Sequence, residues 1–101
     1  MHGLISKINA APGRRDELAA ILVGGTQAMP GIRSYVVASD PDDADAIWIT
    51  VVWDSQASHQ ASLSLPAVQA AIAKGRLMIA GFASRVVTTP IGGFGLSVPL
   101  R

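Results

Sequence analysis

The eight residues from Ala46 to Trp53, AIWITVVW, constrain this chain more than any other segment. Side chains alternate between the two faces of a strand. Here Ile47, Ile49, Val51 and Trp53 share one face, and Trp48 and Val52 flank Thr50 on the other. A strand that is apolar on both sides has to be covered twice. The rest of the chain must therefore supply two layers of cover, or supply one and borrow the second.

The neighbouring segments read as one supply of cover. Leu4 to Asn9 has the length of a short strand, and Ala11-Pro12-Gly13 stops it with proline placed where a helix can begin. Asp16 and Glu17 fall in the first turn of that helix, where carboxylates favour the positive end of its dipole. Leu18, Ile21, Leu22, Gly25 and Met29 form one amphipathic stripe. Gly24 and Gly25 weaken the helix by ~1 kcal/mol each relative to alanine, which points to close packing there rather than to helicity. Pro30-Gly31 ends it. A second strand runs from Ile32 to Ser39, and Asp40-Pro41-Asp42-Asp43 makes a solvated turn into the strand that ends at Trp53. Asp54-Ser55 supplies an N-cap for a short helix carrying His59, Pro66 restarts helix through Val68, Ile72 and Leu77, and Gly81 to Thr89 is the last strand. The order β-α-β-β-α-β predicts an α+β, ferredoxin-like domain with a four-stranded antiparallel sheet and its helices on one face.

That arrangement leaves the second face of the sheet bare. A chain of 101 residues holds one core, so residues 1–101 are expected to be a single domain with its core in 4–89. Half of the residues are hydrophobic and only 15% are charged, more apolar surface than a small soluble monomer can hide. The simplest cover for the open face is the same face of a second copy, which predicts a homodimer built as a dimeric α/β barrel. Leu96, Val98 and Leu100 alternate within the tail 90–101, which is expected to contact the partner subunit.

Several classes of function fall away on composition. No apolar run approaches the ~18 residues of a membrane span, so no membrane partner is expected. Nor does the beginning of the chain resemble a secretory leader, and a cytoplasmic location is the expectation. There is no cysteine, which removes disulfides and thiolate chemistry together. A net charge of +1 with scattered arginines gives no footprint for nucleic acid. Gly24-Gly25-Thr26 and Gly92-Gly93-Phe94-Gly95 lack the spacing and the lysine of a phosphate loop. With two histidines, and carboxylates concentrated between Asp40 and Asp45, no facial metal triad can be assembled; neither a metal nor a cofactor is expected.

The residues Trp53-Asp54-Ser55, His59, Ser62-Leu63, Leu65-Pro66, Val68, Ala71-Ile72, Gly75-Arg76 and Ile79-Ala80-Gly81-Phe82 resemble the antibiotic biosynthesis monooxygenase domain, a dimeric α/β-barrel family that includes quinol monooxygenases. The resemblance covers the chain from Leu4 to about Thr89. It implies oxygenation of a small aromatic quinol, phenol or anthrone by dioxygen, without metal, flavin or haem. Many relatives carry a glutamate two residues before the strand-end tryptophan, where this chain has Val51, so no carboxylate acts from that position. The haem-degrading branch of the superfamily places its iron ligand in the second helical region, where Val68 and Ile72 offer none.

Six residues are candidates for the chemistry, each with a plainer alternative. His59 titrates near neutral pH and suits a general base, or else is a surface histidine on a short helix. Arg85, in mid-strand among apolar residues, could stabilise a phenolate or a superoxide-like oxygen, or form an ion pair with an aspartate across a subunit interface. Trp53 is a stacking wall or a core residue. Tyr35 could donate to a ligand hydroxyl, Asn9 could orient a carbonyl or simply form a turn, and Ser62 neighbours His59 on its helix. Trp48 suits the dimer core. Three readings follow: a cofactor-independent monooxygenase, a non-oxidative isomerase, cyclase or decarboxylase in the same barrel, and a ligand-binding barrel without catalysis.

Overall fold

The computed structural model describes residues 1–24, 29–93 and 95. They form β1 (His2–Ala10), α1 (Arg15–Gly24), β2 (Ile32–Ser39), β3 (Ala46–Trp53), α2 (Gln56–Ser62), α3 (Pro66–Arg76) and β4 (Ile79–Thr88). The strands make one antiparallel sheet in the order β2-β3-β1-β4, which is the ferredoxin-like arrangement. The second helical region is two helices, so the full order is β-α-β-β-α-α-β. The break has a local cause. Leu65 precedes Pro66, whose ring disfavours helical backbone in the residue before it, and Leu65 accordingly is extended at ψ 133° as the N-cap of α3. Residues Gly25, Leu96, Val98 and Leu100, expected in a helix and in a partner-binding tail, lie outside the described residues.

The register shows which residues cover β3. Leu4 faces Val51 and Ile8 faces Ile47 across β1, and Tyr35 and Val37 face Val51 and Ile49 across β2. Together with the helices these make two clusters on one face of the sheet. Leu4, Met29, Val51, Trp53 and Val68 form one, and Ile8, Ala10, Leu18 and Ile47 form the other. Leu18 and Ile47 are the largest side chains wholly out of solvent. The stripe on α1 thus reaches the core through Leu18, as its spacing predicts. A side chain at Gly24 would meet open space, so the close packing expected at that glycine does not occur. Gly3, in contrast, is needed: a Cβ there would press on Thr88 Oγ1 and come within 3.0 Å of Pro90.

The opposite face carries Ile5, Trp48, Thr50, Val36 and Val86, and no helix of the described residues lies on it. Val36 is 56% exposed and Val86 49% exposed. Trp48 is half-buried there in a polar cluster of its own. Its indole N–H donates to Asp40 Oδ2 at 2.9 Å, Lys7 Nζ lies 3.5 Å from the same oxygen, and the lysine sits 5.5 Å from the centroid of the indole ring. The Trp48 hydrogen bond first, then the Asp42 N–H and the charge of Lys7, holds the Asp40 carboxyl below its ordinary value.

Truncating the two fully buried side chains should expose this core directly. Leu18→Ala and Ile47→Ala are each expected to lower unfolding free energy by about 2–5 kcal/mol in urea titrations. A loss under about 1 kcal/mol at both positions would place the core elsewhere.

Candidate functional site

The site grows out of the end of β3. Asp54 and Ser55 leave the strand, and the Ser55 hydroxyl accepts the Ser58 N–H at 3.1 Å, so Ser55 caps α2 as expected. Gly31 makes this corner possible. Its carbonyl accepts the Asp54 N–H at 2.8 Å, its φ is 83°, and a Cβ on it would fall within 2.6 Å of the Ser58 Cβ. The Ser58 hydroxyl foremost, with Ser55 and the charge of Arg33, holds the Asp54 carboxyl below the usual range. Arg33 is the extra residue at the irregularity in β2, where pairing steps from Ile32 to Ser34.

Starting α2 at that point brings His59 back over the strand end. Its ring lies 5.4 Å from the Trp53 ring and 5.5 Å from the ring of His2, both at an interplanar angle of 27°. His2 is the cross-strand partner of Trp53, so the three rings form one cluster on the helix face of the sheet. Burial first, then the charges of His2 and Arg85, pushes the His59 imidazole below its ordinary value of 6.5. A half-buried, neutral imidazole at neutral pH is a proton acceptor ready for use.

The other candidates are placed unequally. Arg85 pairs with Ser6 in the β1–β4 ladder, four residues along β1 from His2, or roughly 13 Å of strand. It is solvent-exposed, makes no ion pair among the described residues, and its charge reaches His59. Trp53 is 3% exposed and its indole N–H is buried without an acceptor among the described residues, at a cost of about 1–3 kcal/mol. One side of that ring is taken by His59, so Trp53 backs the imidazole instead of presenting an open stacking wall. Tyr35 packs against the Trp53 cluster from β2. Ser62 is buried and its hydroxyl donates to the His59 carbonyl at 2.6 Å, an internal helix bond. Asn9 has the opposite strand parity to Leu4 and Ile8 and pairs with Ala46, which puts it on the other face at the far end of the sheet. The structure therefore gathers His59, Trp53, Arg85 and Tyr35 and leaves Asn9 apart. His2 was not among the candidates, because only the β1–β3 register shows that it meets Trp53.

A cavity of about 460 Å³ lies between the helices and the sheet, walled by Ile8, Leu18, Leu22, Val68 and Ile79. None of the six candidates lines it. Ile8 is six residues along β1 from His2, roughly 20 Å away, and Val68 is shared between the cavity wall and the cluster that holds Trp53. Among the described residues no three histidine, aspartate or glutamate side chains are grouped as a metal site, and no helix is long and apolar enough to cross a membrane.

The histidine cluster can be checked by titration. In proton NMR the His59 ring should titrate with a midpoint below 6.5, and Arg85→Ala or His2→Ala should move it upward. Because the unfolded chain then binds the His59 proton more readily than the fold does, stability associated with this group is present above pH 6.5 and lost on acidification through the folded midpoint. His59→Ala should flatten that part of the stability profile, and an unchanged profile would mean that the ring is not desolvated.

Comparison with known proteins adds the ancestry of this arrangement. The model of the family described as antibiotic biosynthesis monooxygenase matches residues 1–74. None of the curated proteins compared with the chain matches it. Among solved structures, a protein of Chloroflexus aurantiacus J-10-fl, provisionally named an antibiotic biosynthesis monooxygenase, is 60% identical with a TM-score of 0.93, over 95% of this chain and 98% of that one. A similarly named protein of Deinococcus radiodurans has a TM-score of 0.76 at 20% identity, over 93% of this chain and 96% of its own. SnoaB of Streptomyces nogalater, a cofactor-independent oxygenase, has a TM-score of 0.73 at 13% identity, over 92% of this chain and 95% of its own. The last two are likenesses of fold. With its sheet order, its family-model match and a relative at 60% identity, the chain belongs to the antibiotic biosynthesis monooxygenase family.

Proposed function

We propose that the chain is a cofactor-independent monooxygenase that oxidises a small aromatic quinol, phenol or anthrone with dioxygen, and that it works as a homodimer. The observation that carries this reading is the His59 imidazole, half-buried against Trp53 and held in its neutral form by burial and by the charges of His2 and Arg85. Such a group takes a proton from an acidic phenol or from the activated methylene of an anthrone. The anion formed is electron-rich enough to pass one electron to dioxygen, and the two radicals combine at carbon. For an anthrone the balance closes without another reductant: the methylene loses two hydrogens, one oxygen atom becomes the new carbonyl, and the other leaves as water with the proton returned by His59. Arg85 stabilises the anion and the reduced oxygen by its charge. Tyr35 contributes a hydroxyl at the Trp53 side, and the buried Trp53 N–H would gain the acceptor it lacks from a ligand oxygen.

Dimerisation supports the same reading through the open face. Val36 and Val86 stand exposed beside Thr50 on a face that the helices do not reach. A second copy applied there dries the sheet and stiffens the strand that carries Trp53.

A second reading, ligand binding without turnover, is favoured by two observations. Val51 stands where many relatives have glutamate, and the cavity is walled without any of the candidate residues.

Oxygen consumption decides between them. With a panel of hydroquinones and anthrones the protein should consume oxygen above the buffer rate, and His59→Ala should lower that rate roughly 100-fold to 10,000-fold. The rate should rise with pH to a plateau whose midpoint lies below 6.5. Uptake equal to buffer leaves the binding reading, and turnover under argon would indicate non-oxidative chemistry instead. Light scattering at micromolar concentration should give twice the 10.4 kDa chain mass, and a stable monomer would contradict the covered face.

A further inference from the structure

The geometry points to a second recognition element in the large cavity: a site for a flat apolar molecule that carries one anionic group, with Arg76 as the anchor for that group. Nine of the ten residues that line the cavity are apolar or glycine, and Arg76 is the charged one. The volume of about 460 Å³ is in the range of small-molecule sites. Depth and mouth differ in character. Leu18 and Ile8 are buried at the bottom, whereas Ile72 is 41% exposed and Phe82 67% exposed. Arg76 is exposed at the end of α3 beside this apolar rim.

Two features make the arginine a recognition group. It forms no ion pair among the described residues, so its planar guanidinium, suited to carboxylates, is available. It also follows Gly75 on α3, which is buried and tightly packed: a Cβ on Gly75 would lie 3.3 Å from Leu18 Cδ1. The helix therefore lies close against the Leu18 floor at the point where Arg76 leaves it. A ligand that fills the hollow covers Ile72 and Phe82 and brings an anionic substituent to the mouth. A neutral ligand of the same shape gains only the apolar contact. This site stands apart from the reading of His59 as a base, since it concerns binding alone and uses none of the residues assigned to proton transfer.

The test compares 2-naphthoate with 2-naphthol by isothermal titration calorimetry under argon, so that no oxidation enters. In the wild-type protein 2-naphthoate should bind at least about tenfold more tightly than 2-naphthol. Arg76→Gln should weaken 2-naphthoate roughly tenfold or more while changing 2-naphthol less than about twofold, and Arg76→Lys should fall between. Because Arg76 is exposed, these variants leave the core untouched. Ala71→Leu, which narrows the cavity, should weaken both compounds. Equal affinity of the two compounds, no binding at millimolar concentration, or a loss of 2-naphthoate affinity in Arg85→Gln but not in Arg76→Gln would each overturn the proposal. Such results leave the oxygen-uptake test of His59 standing, and failure of that test leaves this one standing.

Discussion

The packing of β3 sets the terms for everything else in this molecule. Ile47, Val51 and Trp53 are buried under α1 and α3 on one face, and they can be so only because β1 and β2 flank the strand and remove its backbone from water as well. Burial of side chains of this size contributes about 1.5–3 kcal/mol each relative to exposure, which is comparable to a sizeable fraction of the stability of a small domain. The opposite face has no such cover from the helices. There Trp48 is accommodated by converting its surroundings into a charged cluster with Asp40 and Lys7, while Val36 and Val86 remain in the open. The two faces of the strand thus have different solutions, one internal to the chain and one that calls for a partner.

The placement of His59 follows from the same strand. Because β3 ends at Trp53 and α2 is capped at once by Ser55, the imidazole cannot drift far from the indole; Gly31 is the hinge of this corner, the residue whose missing side chain lets β2 lie beside Ser58 and Asp54. A histidine in open water would share its proton freely near neutral pH. Partial burial beside an indole, another imidazole and a guanidinium makes the charged form costly and leaves the ring as an acceptor. The geometry also separates two jobs. Proton chemistry resides at the His2 end of β1, and apolar volume resides at the Ile8 end, with Val68 as the wall between them. A long aromatic molecule could meet both ends, a short one only one.

Much of this was legible from residue order. The boundaries of β2 and β3 are those that Pro30-Gly31, the aspartate-rich turn and Asp54-Ser55 predict, since each is punctuated by residues with a local conformational reason to stop a strand. Pro66 likewise announces α3 and its separation from α2. What sequence could not supply was register. His2 is two positions from the start of the chain and carries no motif, yet antiparallel pairing sets it opposite Trp53 and so beside His59. Asn9 shows the converse: a polar residue at a strand end looks available, but alternation turns it to the other face. Ser62 is near His59 in sequence and its hydroxyl is spent on the His59 carbonyl. Short-range chemistry is written locally, whereas convergence depends on which strands become neighbours.

Native-state hydrogen exchange tests most directly whether β3 organises the molecule. The amides from Ile47 to Val52, bonded to β1 on one side and β2 on the other, should exchange only through global unfolding and respond to denaturant with the full unfolding slope, while β4, at the sheet edge, should open at lower free energy. Exchange of the β3 amides by local opening, at rates like those of β4, would contradict the account.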